Sequence, residues 1–151
     1  HGTQVGVGTI YCLGLWEKIL ALNPEDIDID IEALIAQQPS EAQVHQWIED
    51  DWQDVAPEVH EQWNAKRMTT NELRAFLNDF RDLHPLLRKE LPQDLLPAAT
   101  VAKAIEESGG PTTPEGLTAP LEEYQNALKR ARYIRNRFTV LDVAADLDLT
   151  D

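Results

Sequence analysis

The chain has 151 residues, 42% of them hydrophobic, which is enough to build one core and excludes a disordered tail. Its formal net charge of −14 repels phosphate backbones and anionic lipid surfaces, so nucleic acid and membrane are excluded as main partners. No apolar run approaches the roughly 20 residues that span a bilayer, and the single Cys12 excludes an internal disulfide and fits a reducing cytoplasm.

The first element reads as a helix from about Gln4 to Leu22. Val7, Ile10, Tyr11, Gly14, Leu15, Lys18 and Ile19 share one face by their 3–4 spacing, and all but Lys18 suit an apolar contact. Gly6, Gly8 and Gly14 each cost roughly 1 kcal/mol in a helix, so they predict a close approach by another helix or a ligand. Asn23-Pro24-Glu25-Asp26 ends that helix and opens another. Ile27-Asp28-Ile29-Asp30-Ile31 alternates as a strand would, but it is short, and a helical turn is the stronger reading.

Pro39-Ser40 caps a helix carrying Val44, Trp47, Ile48 and Trp52, and a short helix follows from about Pro57 to Lys66. Thr69-Thr70-Asn71-Glu72 has the form of a capping box opening a helix through Leu73, Phe76, Leu77, Phe80 and Leu83. Pro85 is expected to kink or end it. Thr100 to Glu107 is helical and stops at Ser108-Gly109-Gly110, and Pro111 to Gly116 is a loop. A last long helix begins near Pro120 and carries Leu121, Tyr124, Leu128, Ala131 and Ile134. A short helix over Val140 to Asp146 closes the chain. The expected fold is all-α, an irregular bundle of about seven helices forming a single domain over residues 1–151.

Several groups invite a chemical reading. Gly6-Val7-Gly8 supplies only two glycines of a dinucleotide fingerprint, with no preceding strand and no βαβ unit, and is rejected as one. His45, His60 and His84 form no zinc-ligand spacing and read as surface or satisfied histidines. Cys12 sits in an apolar segment and reads as a structural thiol. Glu49-Asp50-Asp51 with Asp54 reads as a solvated face, and Trp47, Trp52 and Trp63 as core. The exception is Lys129-Arg130-Arg132-Arg135-Arg137, which gathers five of the 13 Lys and Arg into nine residues. Basic residues near a helix carboxyl end follow from the macrodipole. The same cluster would also suit a cationic patch for an anionic substrate, a cofactor phosphate or an acidic neighbouring domain.

His1-Gly-Thr-Gln-Val-Gly-Val-Gly-Thr resembles the His-Gly-x-x-Val-x-x-Gly motif of the iron-dependent alcohol dehydrogenase, glycerol dehydrogenase and dehydroquinate synthase superfamily. Ala131-Arg-Tyr-Ile-Arg-Asn-Arg-Phe-Thr-Val-Leu-Asp142 is similar to the closing segment of its bacterial glycerol-1-phosphate dehydrogenase branch, and Pro111-Thr-Thr-Pro-Glu115 also looks like that branch. The superfamily often has Glu after His-Gly, where this chain has Thr3.

The resemblance implies the helical carboxyl-terminal domain of a longer, cytoplasmic enzyme, whose nucleotide-binding α/β domain precedes it and is absent from this chain. It implies reduction of dihydroxyacetone phosphate to sn-glycerol 1-phosphate, a backbone for ether-type lipids, with NAD(P) and one divalent metal. Zinc or nickel suits an imidazole-rich site better than magnesium. His1 would be one metal ligand. The other ligands, an Asp and a second His, would come from the absent part, so this chain alone is expected neither to hold the metal nor to turn over. No motif of the family assigns the arginines; Arg132 and Arg135 are the residues expected to meet the substrate phosphate. The expected partners are that substrate, the amino-terminal domain and, as an open question, a second copy in a homodimer. Two rivals stand beside this reading: a dehydrogenase of the same superfamily acting on glycerol or another polyol, and a helical interaction domain without chemistry.

Overall fold

The computed structural model describes residues 2–23 and 30–150. Eight α-helices follow in order among them: α1 (Gly2–Ala21), α2 (Ile31–Gln37), α3 (Glu41–Trp52), α4 (Ala56–Asn64), α5 (Thr70–Glu90), α6 (Ala98–Glu107), α7 (Leu121–Arg130) and α8 (Val140–Asp146). Single 3₁₀ turns at Gln53–Val55, Leu91–Gln93, Pro114–Gly116 and Ala131–Ile134 make the joints, and no strand occurs among the described residues. The alternation at 27–31 lies outside them as far as residue 29; Asp30 caps α2, its carboxylate accepting the Ala33 N–H at 3.1 Å, and Ile31 opens the helix.

The helix starts follow side-chain chemistry. Ser40 and Gln43 form a reciprocal capping box on α3, and Thr69 and Glu72 form the expected one on α5. The Thr69 N–H and hydroxyl hold the Glu72 carboxyl below the ordinary carboxylate range. Ser108-Gly109-Gly110 ends α6 as a Schellman motif. Gly109 stands at φ +77° and donates to the Glu106 carbonyl, while Gly110 donates to Ile105.

Two helices depart locally from their expected bounds. Pro85 neither ends nor splits α5, which runs on to Glu90. The proline lies on an exposed position, beside the buried His84. The carbonyl it leaves without an N–H partner belongs to Arg81, on an exposed stretch where water can serve it. The expected long last helix is α-helical only to Arg130 and then tightens into a 3₁₀ turn. At about 3.0 residues per turn the phase changes, so Tyr133 turns inward at 5% exposure and Ile134 outward.

The core has two parts. Leu15 and Ile19 of α1, Leu73, Leu77 and Phe80 of α5, and Val140, Val143 and Ala144 of α8 form the first, with α2 packed on α5. Val44 and Ile48 of α3, Ala56 and Val59 of α4, and Tyr133 form the second, with Trp47, Trp52 and Trp63 half-buried against it. α6 lies along α1, and α7 joins only the neighbouring 3₁₀ turns closely.

Of the three glycines in α1, Gly6 alone meets a neighbour: a Cβ there would stand 3.3 Å from Ile105 Cδ1. Cβ atoms at Gly8 and Gly14 would meet nothing within 4 Å, so a close approach explains one of the three. Gly116 is the more constrained position. A Cβ there would come 2.5 Å from the Pro111 Cβ, a ring atom that cannot swing aside. Gly116→Ala is therefore expected to cost about 1–3 kcal/mol of stability by overpacking. Urea unfolding checks it, and a change below a few tenths of a kcal/mol would show that the loop yields freely.

Candidate functional site

The two core clusters meet at a buried ionic network. Lys66, just past α4, donates to Asp142 Oδ1 at 2.7 Å. Arg132, on the last 3₁₀ turn, reaches the same oxygen through Nε at 3.2 Å and Asp146 Oδ1 through its terminal nitrogen at 3.0 Å. The second oxygen of Asp142 accepts the Thr139 N–H at 2.8 Å and the Thr139 hydroxyl at 3.1 Å, forming the capping box of α8. Asp142 and Asp146 are 1% and 2% exposed. Two cations face two carboxylates, so the network is neutral as a unit, which its burial demands.

Asp146 is the uncomfortable member. Its second oxygen, Oδ2, is buried without a hydrogen-bond partner among the described residues. Burial pushes its carboxyl above the ordinary carboxylate range, against the pull of Arg132. A carboxyl with a raised folded pKa contributes stability that is present below its ordinary pKa and is lost as pH rises through the folded value. The stability difference between the natural chain and Asp146→Asn should therefore shift against the natural chain as pH climbs from about 4 toward neutrality. Urea melts across that range test it; a difference independent of pH would contradict it.

A small cavity of about 110 Å³ adjoins this network, bordered by Lys66, Arg67, Trp63 and Phe138. Arg67 is drawn to Glu41 at 2.6 Å.

The basic cluster read from the sequence is divided among different surroundings. Arg130 stacks on Trp47 with its guanidinium carbon 3.8 Å from the ring centroid, and stands 3.6 Å from Asp51. Arg132 is engaged by two carboxylates, so an incoming phosphate would compete with both. Arg135 and Arg137 are exposed and carry no ion pair among the described residues. Lys129 borders a separate cleft between α1 and α7.

The remaining chemical candidates are placed as follows. His1 lies outside the described residues. His84 is fully buried in the first core, where Nε2 donates to the Ile19 carbonyl at 2.8 Å. His60 donates to Glu49 at 2.8 Å, and its ring lies 4.5 Å from that of His45, which in turn stands 3.6 Å from Glu41. Among the described residues no group of three His, Cys, Asp or Glu is placed to hold a metal ion. Cys12 is half-buried, and burial pushes its thiol up, away from a reactive thiolate. No helix among the described residues is long and apolar enough to cross a membrane.

Sequence reasoning missed the network. Its signals were Thr139-x-x-Asp142, a capping box, and Asp142 with Asp146 one turn apart on an otherwise apolar seven-residue helix. No protein-family model matches this chain, no curated protein is significantly similar to it, and no solved structure is significantly similar to its fold.

Proposed function

We propose that this chain is the helical, metal-ligand-contributing domain of an NAD(P)-dependent glycerol-1-phosphate dehydrogenase. The carrying observation is that its two family-like segments, which begin at residues 1 and 131, run into helices that share one core. The His-Gly motif runs into α1, and the Arg-Asn-Arg-Phe-Thr-Val-Leu-Asp segment runs into α8. Leu15 and Ile19 of α1 share a core with Val140 and Val143 of α8. Segments that serve one site in a family are expected to be held together in this way.

In this reading His1 supplies one imidazole to a site completed by the preceding part of the enzyme. A bound nicotinamide would deliver hydride to the carbonyl carbon of dihydroxyacetone phosphate, and a proton would complete the alcohol. Of the two arginines expected to meet the substrate phosphate, Arg135 is the exposed one.

The test uses the whole gene product. It should oxidise NADH or NADPH only when dihydroxyacetone phosphate is present, and His1→Ala should abolish turnover and lower the bound metal measured by elemental analysis. Unchanged turnover and metal content in that variant would refute the role of His1; no activity toward dihydroxyacetone phosphate would refute the substrate.

A further inference from the structure

A cleft of about 540 Å³ opens between the amino-terminal half of α1, the loop at 112–115 and one face of α7. That volume falls in the range of small-molecule sites, roughly 300–1,000 Å³. Its apolar lining comes from Val7 and Ile10 of α1 and Leu128 of α7. The Gln125 amide and the Thr112 and Thr150 hydroxyls border it, and so do three donors: the Tyr11 and Tyr124 phenols and the Lys129 ammonium.

None of these three groups has a hydrogen-bond or ion-pair partner among the described residues. Burial raises both phenols above their ordinary pKa, and Tyr124 is raised further by Tyr11, so both present a neutral O–H. The opposing charge in the lining is Glu115. Its carboxylate is already held by the Thr113 hydroxyl and by its own backbone N–H, which keep it below the ordinary range. Among the described residues, the uncommitted charge of the cleft is therefore a cation, accompanied by two phenolic donors and an apolar floor.

We infer that this cleft is a binding site for a small organic anion, a carboxylate or phosphate ester whose anionic head meets Lys129, Tyr11 and Tyr124 and whose apolar body lies on Val7, Ile10 and Leu128. In a chain of net charge −14, a free ammonium at the mouth of a cleft also gives the anion a local point of attraction that the rest of the surface denies it. Arg132, Asp142 and Asp146 do not line this cleft, and the inference does not rest on the dehydrogenase reading, because it concerns binding that needs neither nicotinamide nor metal.

The test is an NMR titration of the ¹⁵N-labelled chain with phenyl phosphate, benzoate and the neutral benzyl alcohol. Phenyl phosphate or benzoate should shift backbone amides at 112–115 and 121–129, and should bind more tightly than benzyl alcohol. Lys129 is exposed, so Lys129→Gln leaves the fold intact. It should weaken the anions about tenfold, as expected for loss of one charge-assisted hydrogen bond, while leaving benzyl alcohol unchanged. Which of the two anions binds more tightly distinguishes phosphate from carboxylate. Shifts confined to other regions, equal affinity for benzyl alcohol and the anions, or anion affinity indifferent to Lys129→Gln would each overturn the assignment.

Discussion

Asp142→Ala is expected to lower the unfolding free energy by about 3–5 kcal/mol, the usual result of stranding a buried charge by removing its partner. The carboxylate it removes accepts Lys66, Arg132 and the Thr139 N–H and hydroxyl. Alanine would leave the Lys66 ammonium, 8% exposed, with only the Arg137 carbonyl at 3.3 Å, and would remove the carboxylate half of the α8 capping box. Against a typical total of about 5–15 kcal/mol, the variant would lose a large share of its stability. A double-mutant cycle separates the causes. Lys66→Met should cost less than Asp142→Ala when made alone, and close to nothing in the Asp142→Ala background, because the stranded charge has then gone. Additive costs in urea unfolding would show that Lys66 and Asp142 act independently, and the network would lose its role as the seam between the two cores.

How much of this was legible in the sequence depends on the range of each interaction. Elements set by neighbours along the chain were readable. Thr69 with Glu72 marked the start of α5, Ser108-Gly109-Gly110 the end of α6, and the apolar run after Thr139 gave α8 at its observed bounds. Expectations that needed a spatial partner were less reliable. Pro85 carries a local rule that its exposed position relaxes, and the close approach expected from the glycines of α1 is made by Ile105 at Gly6 alone. The basic cluster looked like one patch because it is contiguous in sequence. The partners that divide it are remote: Asp51 for Arg130, and Asp142 with Asp146 for Arg132. Lys66 and Asp142, 76 positions apart, carry no mutual signal in a single sequence. The α1–α7 cleft was invisible for the same reason, since Tyr11 and Tyr124 meet only after the chain has folded back.

Leu15→Ala should cost about 2–5 kcal/mol, the range for deleting a buried leucine with partial collapse of the cavity. Leu15 is 1% exposed and shares the first core with Leu77 of α5 and Ala144 of α8. The position matters beyond its own contacts. Although α1 is 20 residues long and mostly apolar, only Val7, Leu15 and Ile19 are buried on it. Truncating the middle anchor should loosen the whole helix, and with it the wall that Val7, Ile10 and Tyr11 give the cleft. Val5→Ala is the matched control on the same helix: at 54% exposure it should change stability by less than about 0.5 kcal/mol. Urea unfolding followed by tryptophan fluorescence gives both values, and hydrogen exchange gives the local effect. Amides of α1 should lose protection in Leu15→Ala to a greater degree than those of α3 and α4, which pack around the second core. Equal loss of protection in α1, α3 and α4 would mean that the two cores unfold as one cooperative unit, and that α1 is not separately held by its three buried side chains.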